Sequence, residues 1–395
     1  MLVRAMAGTL LLAMASWSAP VWAQTPAEQA AVSLEQQGKS AEAEEAWKAI
    51  YKTQPSNPEP LAHLGLLESR QEHYPEAIAF YRKAIALSPT MPGLRLNMGL
   101  ALFKDGQYRP AIQAFTPLLK AAAKNVEETQ RLNVLIGMSY FGLGEYPAAI
   151  PFLRAAADRD KDNLTLLLTL AHSCLLSKQY QCVLDVFHQM VALNADSAEA
   201  DMLVGEALDE MKDRFGATRE FRSAVLANPK EPNVHFGLGY LLWMQGQTEE
   251  AAQQFQAELD NDPEHLQAML YLADSEIQMN RMEDARPLLE KLVKLNPKSA
   301  MGHVDLGSVY AAADRSQDAL AEFKRAIALK PDDVNAHWRL GRLYRSLGKA
   351  SEATAEFEKA KSLNQAADEG LLKAMSKDPH ATGSSEKRTT APANK

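Results

Sequence analysis

Apolar residues recur at steps of three and four along most of the chain, as in Leu61, Leu64 and Leu67, with polar residues between them. That period predicts amphipathic helices. The pattern also repeats at longer range. PEPLAHLGLLESRQEHYPEAIAFYRKAIALSPTM (58–91) aligns with AMGHVDLGSVYAAADRSQDALAEFKRAIALKPDD (300–333), with small and aromatic residues at the same offsets. The frame gives 34-residue repeats starting at 24, 58 and 92. After a four-residue insertion, Val126–Thr129, it resumes at 130, 164, 198, 232, 266, 300 and 334. Ten repeats thus occupy 24–125 and 130–367, and each is predicted to be a pair of helices.

Four places within the repeat have recognisable jobs. The eighth is Gly65, Gly99, Gly137, Gly205, Gly239, Gly307 and Gly341, with Ala31, Ala171 and Ala273 in the others. The twentieth is alanine in every repeat but the fifth, which has Val183. Two helices approach closely only where side chains are small, so these places are expected at the crossing of an antiparallel pair. The twenty-fourth is bulky (Trp47, Tyr81, Phe115, Phe187, Phe221, Phe255, Phe323, Phe357, with Leu153 and Leu289) and should fill the space beside that crossing. The thirty-second is Pro55, Pro89, Pro229, Pro263, Pro297 and Pro331, which stops the second helix. Repeats four and five have Lys161 and Ala195 there.

On these residues the chain resembles the tetratricopeptide repeat family over nearly its whole length after residue 23. The resemblance implies an all-α fold, a right-handed superhelical solenoid of about ten helix-turn-helix repeats with a concave inner face. Stacked neighbours bury a continuous core that a lone pair cannot. A polar-backed cap is expected at 366–377, with Leu371, Leu372 and Met375 on one side, and a flexible tail at 378–395.

In that family the second, fifth, ninth and twelfth places of the first helix line the inner face. Carried over, repeats three to five present Leu96, Leu100 and Phe103; Val134, Met138 and Phe141; and Leu168, His172 and Leu175. Repeat six presents Glu199, Glu206 and Asp209, repeat seven Phe236, Tyr240 and Trp243, and repeat ten Trp338, Arg342 and Arg345. An apolar wall of this kind marks a partner site, with aromatic anchors, unless it fills a tightly packed solenoid. The expected partner is an extended or helical protein segment, its apolar side chains at repeats three to five and seven and a basic group facing Glu206 and Asp209. The family's carboxylate clamp needs Lys and Asn at the fifth and ninth places, and no repeat here has that pair.

Composition adds a class without chemistry. The 395 residues are 46% hydrophobic and 23% charged, so the chain folds, and its net charge of −8 without a basic run argues against nucleic acid. Length alone would fit two or three globular domains; the repeat frame replaces that with one array. Residues 1–23, with Arg4, an apolar stretch and the ending Val21-Trp22-Ala23, have the layout of a cleaved secretory signal. The remainder is then expected to be exported, periplasmic or secreted, with no membrane span. No H-E-x-x-H, P-loop or nucleophile elbow occurs, and the nine histidines are dispersed, so neither catalysis, metal nor cofactor is expected. Cys174 and Cys182 lie at the eleventh and nineteenth places of repeat five. The eleventh faces the partner helix and the nineteenth solvent, which leaves open both a disulfide and two free thiols. The favoured reading is an exported protein-binding scaffold. A structural subunit of a cell-envelope assembly or export complex, and a carbohydrate-binding solenoid, are the competing classes.

Overall fold

The computed structural model describes residues 25–193 and 197–377, with side chains as far as Glu369. The signal at 1–23, the tail at 378–395 and the side chains proposed for the cap lie outside the described residues. The chain divides into two compact units, the first ending at Asn228 and the second starting at Pro229. The division falls between repeats six and seven, not at the insertion.

In the first unit six helix pairs follow one another: α1 (Pro26–Gln36) and α2 (Ser40–Thr53), α3 (Glu59–Arg70) and α4 (Tyr74–Leu87), α5 (Leu94–Lys104) and α6 (Tyr108–Ala121). Then come α7 (Val126–Gly142) and α8 (Tyr146–Ala157), α9 (Leu164–Leu176) and α10 (Tyr180–Leu193), α11 (Ala198–Glu210) and α12 (Arg214–Ala227). The second unit holds α13 (Val234–Met244) and α14 (Thr248–Asn261), α15 (Leu266–Gln278) and α16 (Met282–Leu295), α17 (Ala300–Ala312) and α18 (Ser316–Leu329), α19 (Val334–Ser346) and α20 (Ala350–Lys377). Within each unit a second helix packs on the next first helix, as α6 does on α7, and first helices touch, as α13 does on α15. The result is one layer of first helices and one of second helices, with the core between them.

The packing inside a pair refines the expected crossing. A Cβ on Gly99 would lie 2.5 Å from the Phe115 ring, and one on Gly307 2.8 Å from the Phe323 ring. The eighth place is therefore empty because the twenty-fourth ring lies directly on it, not beside it. Phe115, Phe255 and Phe323 are buried by this contact, and truncating one to Ala would cost about 3–5 kcal/mol. Repeat five has Ala171 at the eighth place but Val183 in place of alanine at the twentieth, and its Phe187 is only half-buried.

Every pair turns the same way. The residue at the fifteenth place has a left-handed backbone in all ten repeats: Gly38, Gly106, Gly144, Gly246 and Gly348, but also Glu72, Lys178, Lys212, Asn280 and Asp314. The insertion Val126–Thr129 is absorbed as an extra N-terminal turn of α7, capped by the Asn125 side chain on the Glu128 N–H. At the other end no proline interrupts Gln365, Ala366 and Ala367, so α20 continues through 366–377 as one helix rather than ending at a separate cap.

Candidate functional site

The first helices of repeats three to five do carry an apolar face, but much of it is closed. Phe103, Met138 and Leu168 are buried members of the core, not open wall. Leu96, Leu100, Val134, Phe141 and Leu175 are partly buried and pack against that core. Turn tyrosines help to shut it: Phe103 meets Tyr108 edge-on at 5.7 Å, Phe141 meets Tyr146 at 5.5 Å, and Tyr108 lies over Gly142 of the next repeat. The expectation of an exposed docking wall at Phe103, Met138 and Leu168 is thus corrected. Aliphatic side chains on adjacent first helices gain more by burying one another than by waiting for a partner.

Repeat six supplies the acidic patch the sequence led one to expect, already partly matched. His172 lies 3.0 Å from Glu199, and Asp209 is 4.0 Å from the Arg214 guanidinium. Glu206 stands exposed, yet the surrounding walls remove enough water to hold its carboxyl above the ordinary range, with His172 opposing.

In the second unit Phe236, Tyr240 and Trp243 come together as half-buried rings. Tyr240 lies 6.3 Å from Phe236 and 6.1 Å from Trp243, centroid to centroid. Tyr271, from the sixth place of repeat eight, closes the group edge-on, 5.4 Å from Tyr240 and 5.1 Å from Trp243. Desolvation, then Tyr240 and Asp274, hold the Tyr271 hydroxyl above its usual pKa. The Trp243 indole N–H donates to Asp274 Oδ2 at 2.7 Å, which fixes the ring while it stays half-exposed. Tyr271 and Asp274 were not among the expected residues. Tyr271 holds the sixth place, which is not among the family's inner-face places, although the sequence has an aromatic there in the repeat following Phe236, Tyr240 and Trp243.

The expected residues of repeat ten also meet. Trp338, Arg342 and Arg345 line a cleft of about 570 Å³ with Phe357 and Lys361. Arg342 stacks over the Trp338 ring at 4.9 Å and Arg345 over Phe357 at 5.5 Å.

Cys174 and Cys182 are bonded in the structure, with Cα atoms 5.8 Å apart. Cys182 is buried, which corrects the solvent-facing orientation expected of the nineteenth place. Without a small residue at Val183 the pair packs differently, and Cys182 turns inward beside Cys174, where the Arg154 guanidinium donates to its Sγ at 2.9 Å. The buried histidines serve the fold. His303 joins Glu322 to the Pro297 carbonyl, and His337 joins Glu356 to that of Pro331, bracing one repeat to the last. No cluster suited to a metal and no helix long and apolar enough to span a membrane occurs among the described residues.

These features define the class: an all-α protein of stacked helix pairs with a left-handed turn at a fixed place. Family models of the tetratricopeptide repeat match residues 29–92, 69–132, 130–163 and, in overlapping segments, 216–369. The chain belongs to the tetratricopeptide repeat family, whose repeats generally mediate protein–protein interactions. BBSome complex member BBS4 from Bos taurus is 27% identical over 54% of this chain and 40% of its own length. Protein CTR9 homolog from Arabidopsis thaliana is 23% identical over 68% of this chain and 25% of its own. The chain therefore spans less than half the length of these curated relatives. Among solved structures, MamA from Desulfovibrio magneticus RS-1 is 20% identical, covering 43% of this chain and 96% of that one at a TM-score of 0.41. Pseudomonas aeruginosa PilF is 17% identical, covering 52% and 93% at 0.45.

Proposed function

We propose that this protein is an exported scaffold that holds a segment of another protein against the first-helix face of its second unit. The observation that carries the reading is the group of four half-buried rings, Phe236, Tyr240, Trp243 and Tyr271. Half-exposed rings, one of them with a fixed polar tip, lose little entropy when a partner covers them. The aromatic content of this face, unlike that of repeats three to five, is not used up by the fold. Export is supported by the layout of residues 1–23 and by a bonded cysteine pair, which needs an oxidising compartment. No residue set argues for catalysis, metal or cofactor. Replacing Trp243 by Glu should abolish crosslinking of the partner from a photoreactive residue at position 240 while helicity survives. Unchanged crosslinking to the same partner would sink the reading. Export is tested by the N-terminus of the protein recovered from cells, expected at Gln24.

A second reading, a structural subunit of a cell-envelope assembly, is favoured by the cleft at Trp338, Arg342 and Arg345 in the last repeat. It predicts co-purification in a large complex that survives Trp243→Glu and is lost with Arg342→Glu.

A further inference from the structure

The sixth place of a first helix lies over the ninth place of the preceding repeat. Tyr271 covers Tyr240 in this way, and Arg339 donates to Ser308 Oγ at 3.0 Å. Asp305 holds the sixth place of repeat nine, and Asp274 the ninth place of repeat eight. The two carboxylates are therefore neighbours, and Asp274 is the one that accepts the Trp243 indole N–H. The rings, Asp274 and Asp305 are thus linked contact by contact through repeats seven to nine of the second unit.

Asp305 is only 7% exposed, and its Oδ2 has no hydrogen-bond partner. Four buried side-chain oxygens share that condition among the described residues: those of Gln130, Ser177, Glu276 and Asp305. Glu276 is ion-paired to Arg281; Asp305 has no ion pair. Arg339, the cation whose field reaches it, spends its hydrogen bonds on Ser308 and Asn335. Burial, then Asp274, push the Asp305 carboxyl up to about 7, Arg339 opposing. A buried carboxylate left without a counter-charge costs stability, and more than a neutral amide or a leucine in its place would. Such a group persists where a ligand completes it.

We propose that this site takes the cationic side chain of a partner segment, a lysine or an arginine, with its charge between Asp274 and Asp305 and its aliphatic stem against Tyr240, Trp243 and Tyr271. The chemistry on each side fits. Trp243 and Tyr271 stand at 73° to each other and Tyr240 and Tyr271 at 81°, so the rings present a corner, suited to a compact cation, rather than a platform for a flat sugar. Sugar hydroxyls would also bring no counter-charge to Asp305. The inference rests on the binding face proposed above and names what that face recognises.

The test uses the full chain and short capped peptide pools, randomised over Ala, Leu and Phe around one fixed central residue: Lys, norleucine or Glu. The Lys pool should bind about tenfold tighter than the norleucine pool, and the Glu pool more weakly than either. Asp305→Asn and Asp274→Asn should each bring Lys and norleucine to within about twofold, and Glu206→Gln in the first unit should leave the preference intact. In the free protein at about pH 8, Asp305→Asn should raise the melting temperature, because it removes the uncompensated charge. Equal binding of Lys and norleucine overturns the cationic site while the binding face stands. No binding of any pool, or retention on polysaccharide abolished by Trp243→Ala, overturns both. A lower melting temperature in Asp305→Asn makes the carboxylate structural and also ends the proposal.

Discussion

The first-helix faces of the two units are built from the same places of the same repeat and end in opposite states. In repeats three to five those places carry aliphatic side chains and phenylalanine, and Phe103, Met138 and Leu168 have sunk into the core. In the second unit those places carry Phe236, Tyr240, Trp243 and Asp274, joined by Tyr271 and Asp305 from the sixth place, and the rings stay half-exposed. The difference follows from the side chains. An aliphatic group loses nothing by turning toward its neighbours, whereas an indole N–H or a phenol must keep an acceptor within reach. Trp243 is tethered to Asp274 and cannot turn inward without breaking that bond. Position in the repeat makes a surface available; side-chain chemistry decides whether it remains one.

The harshest way to break this comparison is to put the same charge on both faces. Met138→Glu buries a carboxylate among aliphatic side chains and should cost about 4 kcal/mol or more, melting the first unit at or near room temperature. Tyr240→Glu lies on the open face and should cost about 1–2 kcal/mol with helicity retained. Thermal melting followed by circular dichroism checks both. Equal losses would mean that the second face is as closed as the first.

Next in size is a pH effect confined to the second unit. Asp305 has a folded pKa of about 7 against an ordinary value of 3.8, so between those values the folded state keeps a proton that the unfolded chain has released. The sign is the reverse of a salt-bridged carboxylate: stability falls as pH rises from about 4 to about 7 and is flat above. The full effect is of the order of 4 kcal/mol, set by burial, Asp274 and Asp333 against Arg339. Asp305→Asn should remove the slope, measured as melting temperature against pH. Glu206 in the first unit is also raised but stands exposed, so Glu206→Gln should change the slope far less. Matching slopes in the two variants would erase the distinction between the faces.

The repeat frame, the helix pairs and the grouping of Phe236, Tyr240 and Trp243 were all legible in the sequence, because small, bulky and helix-stopping residues recur at fixed offsets. The closure of the first face was not. Leu168 reads the same whether its neighbours pack on it or leave it bare, since burial depends on how repeats stack and not on any one residue. Asp305 was invisible for a related reason: the sixth place gains meaning only through the ninth place of the preceding repeat, a contact between residues that the frame treats separately. Cys182 was expected to face solvent, but Val183 beside it breaks the small-residue rule, and the local packing changes with it.

That departure in repeat five supplies a smaller test. The Cys174–Cys182 bond closes a loop of eight residues in sequence, and its loss should cost about 2–3 kcal/mol by constraint of the unfolded chain. Reduction should speed amide exchange in α9 and α10 and leave the second unit as it was. Faster exchange around Trp243 would show that the closed face supports the open one.

The smallest effects separate the units at their turns. At the fifteenth place the first unit has three left-handed residues with long side chains, Glu72, Lys178 and Lys212, whereas the second has Gly246, Gly348, Asn280 and Asp314. A Cβ in the left-handed region meets the following carbonyl at a cost of about 1–2 kcal/mol, relieved for Asn and Asp by short-range hydrogen bonding. Glycine removes that clash but adds freedom to the unfolded chain, which returns part of the gain. Lys212→Gly should therefore stabilise the first unit by about 0.5–1 kcal/mol, and Asn280→Gly the second by a few tenths at most. Both are read from melting temperature. If Lys212→Gly gains no more than Asn280→Gly, Lys212 has a compensating contact and the strain assigned to the first unit's turns is absent.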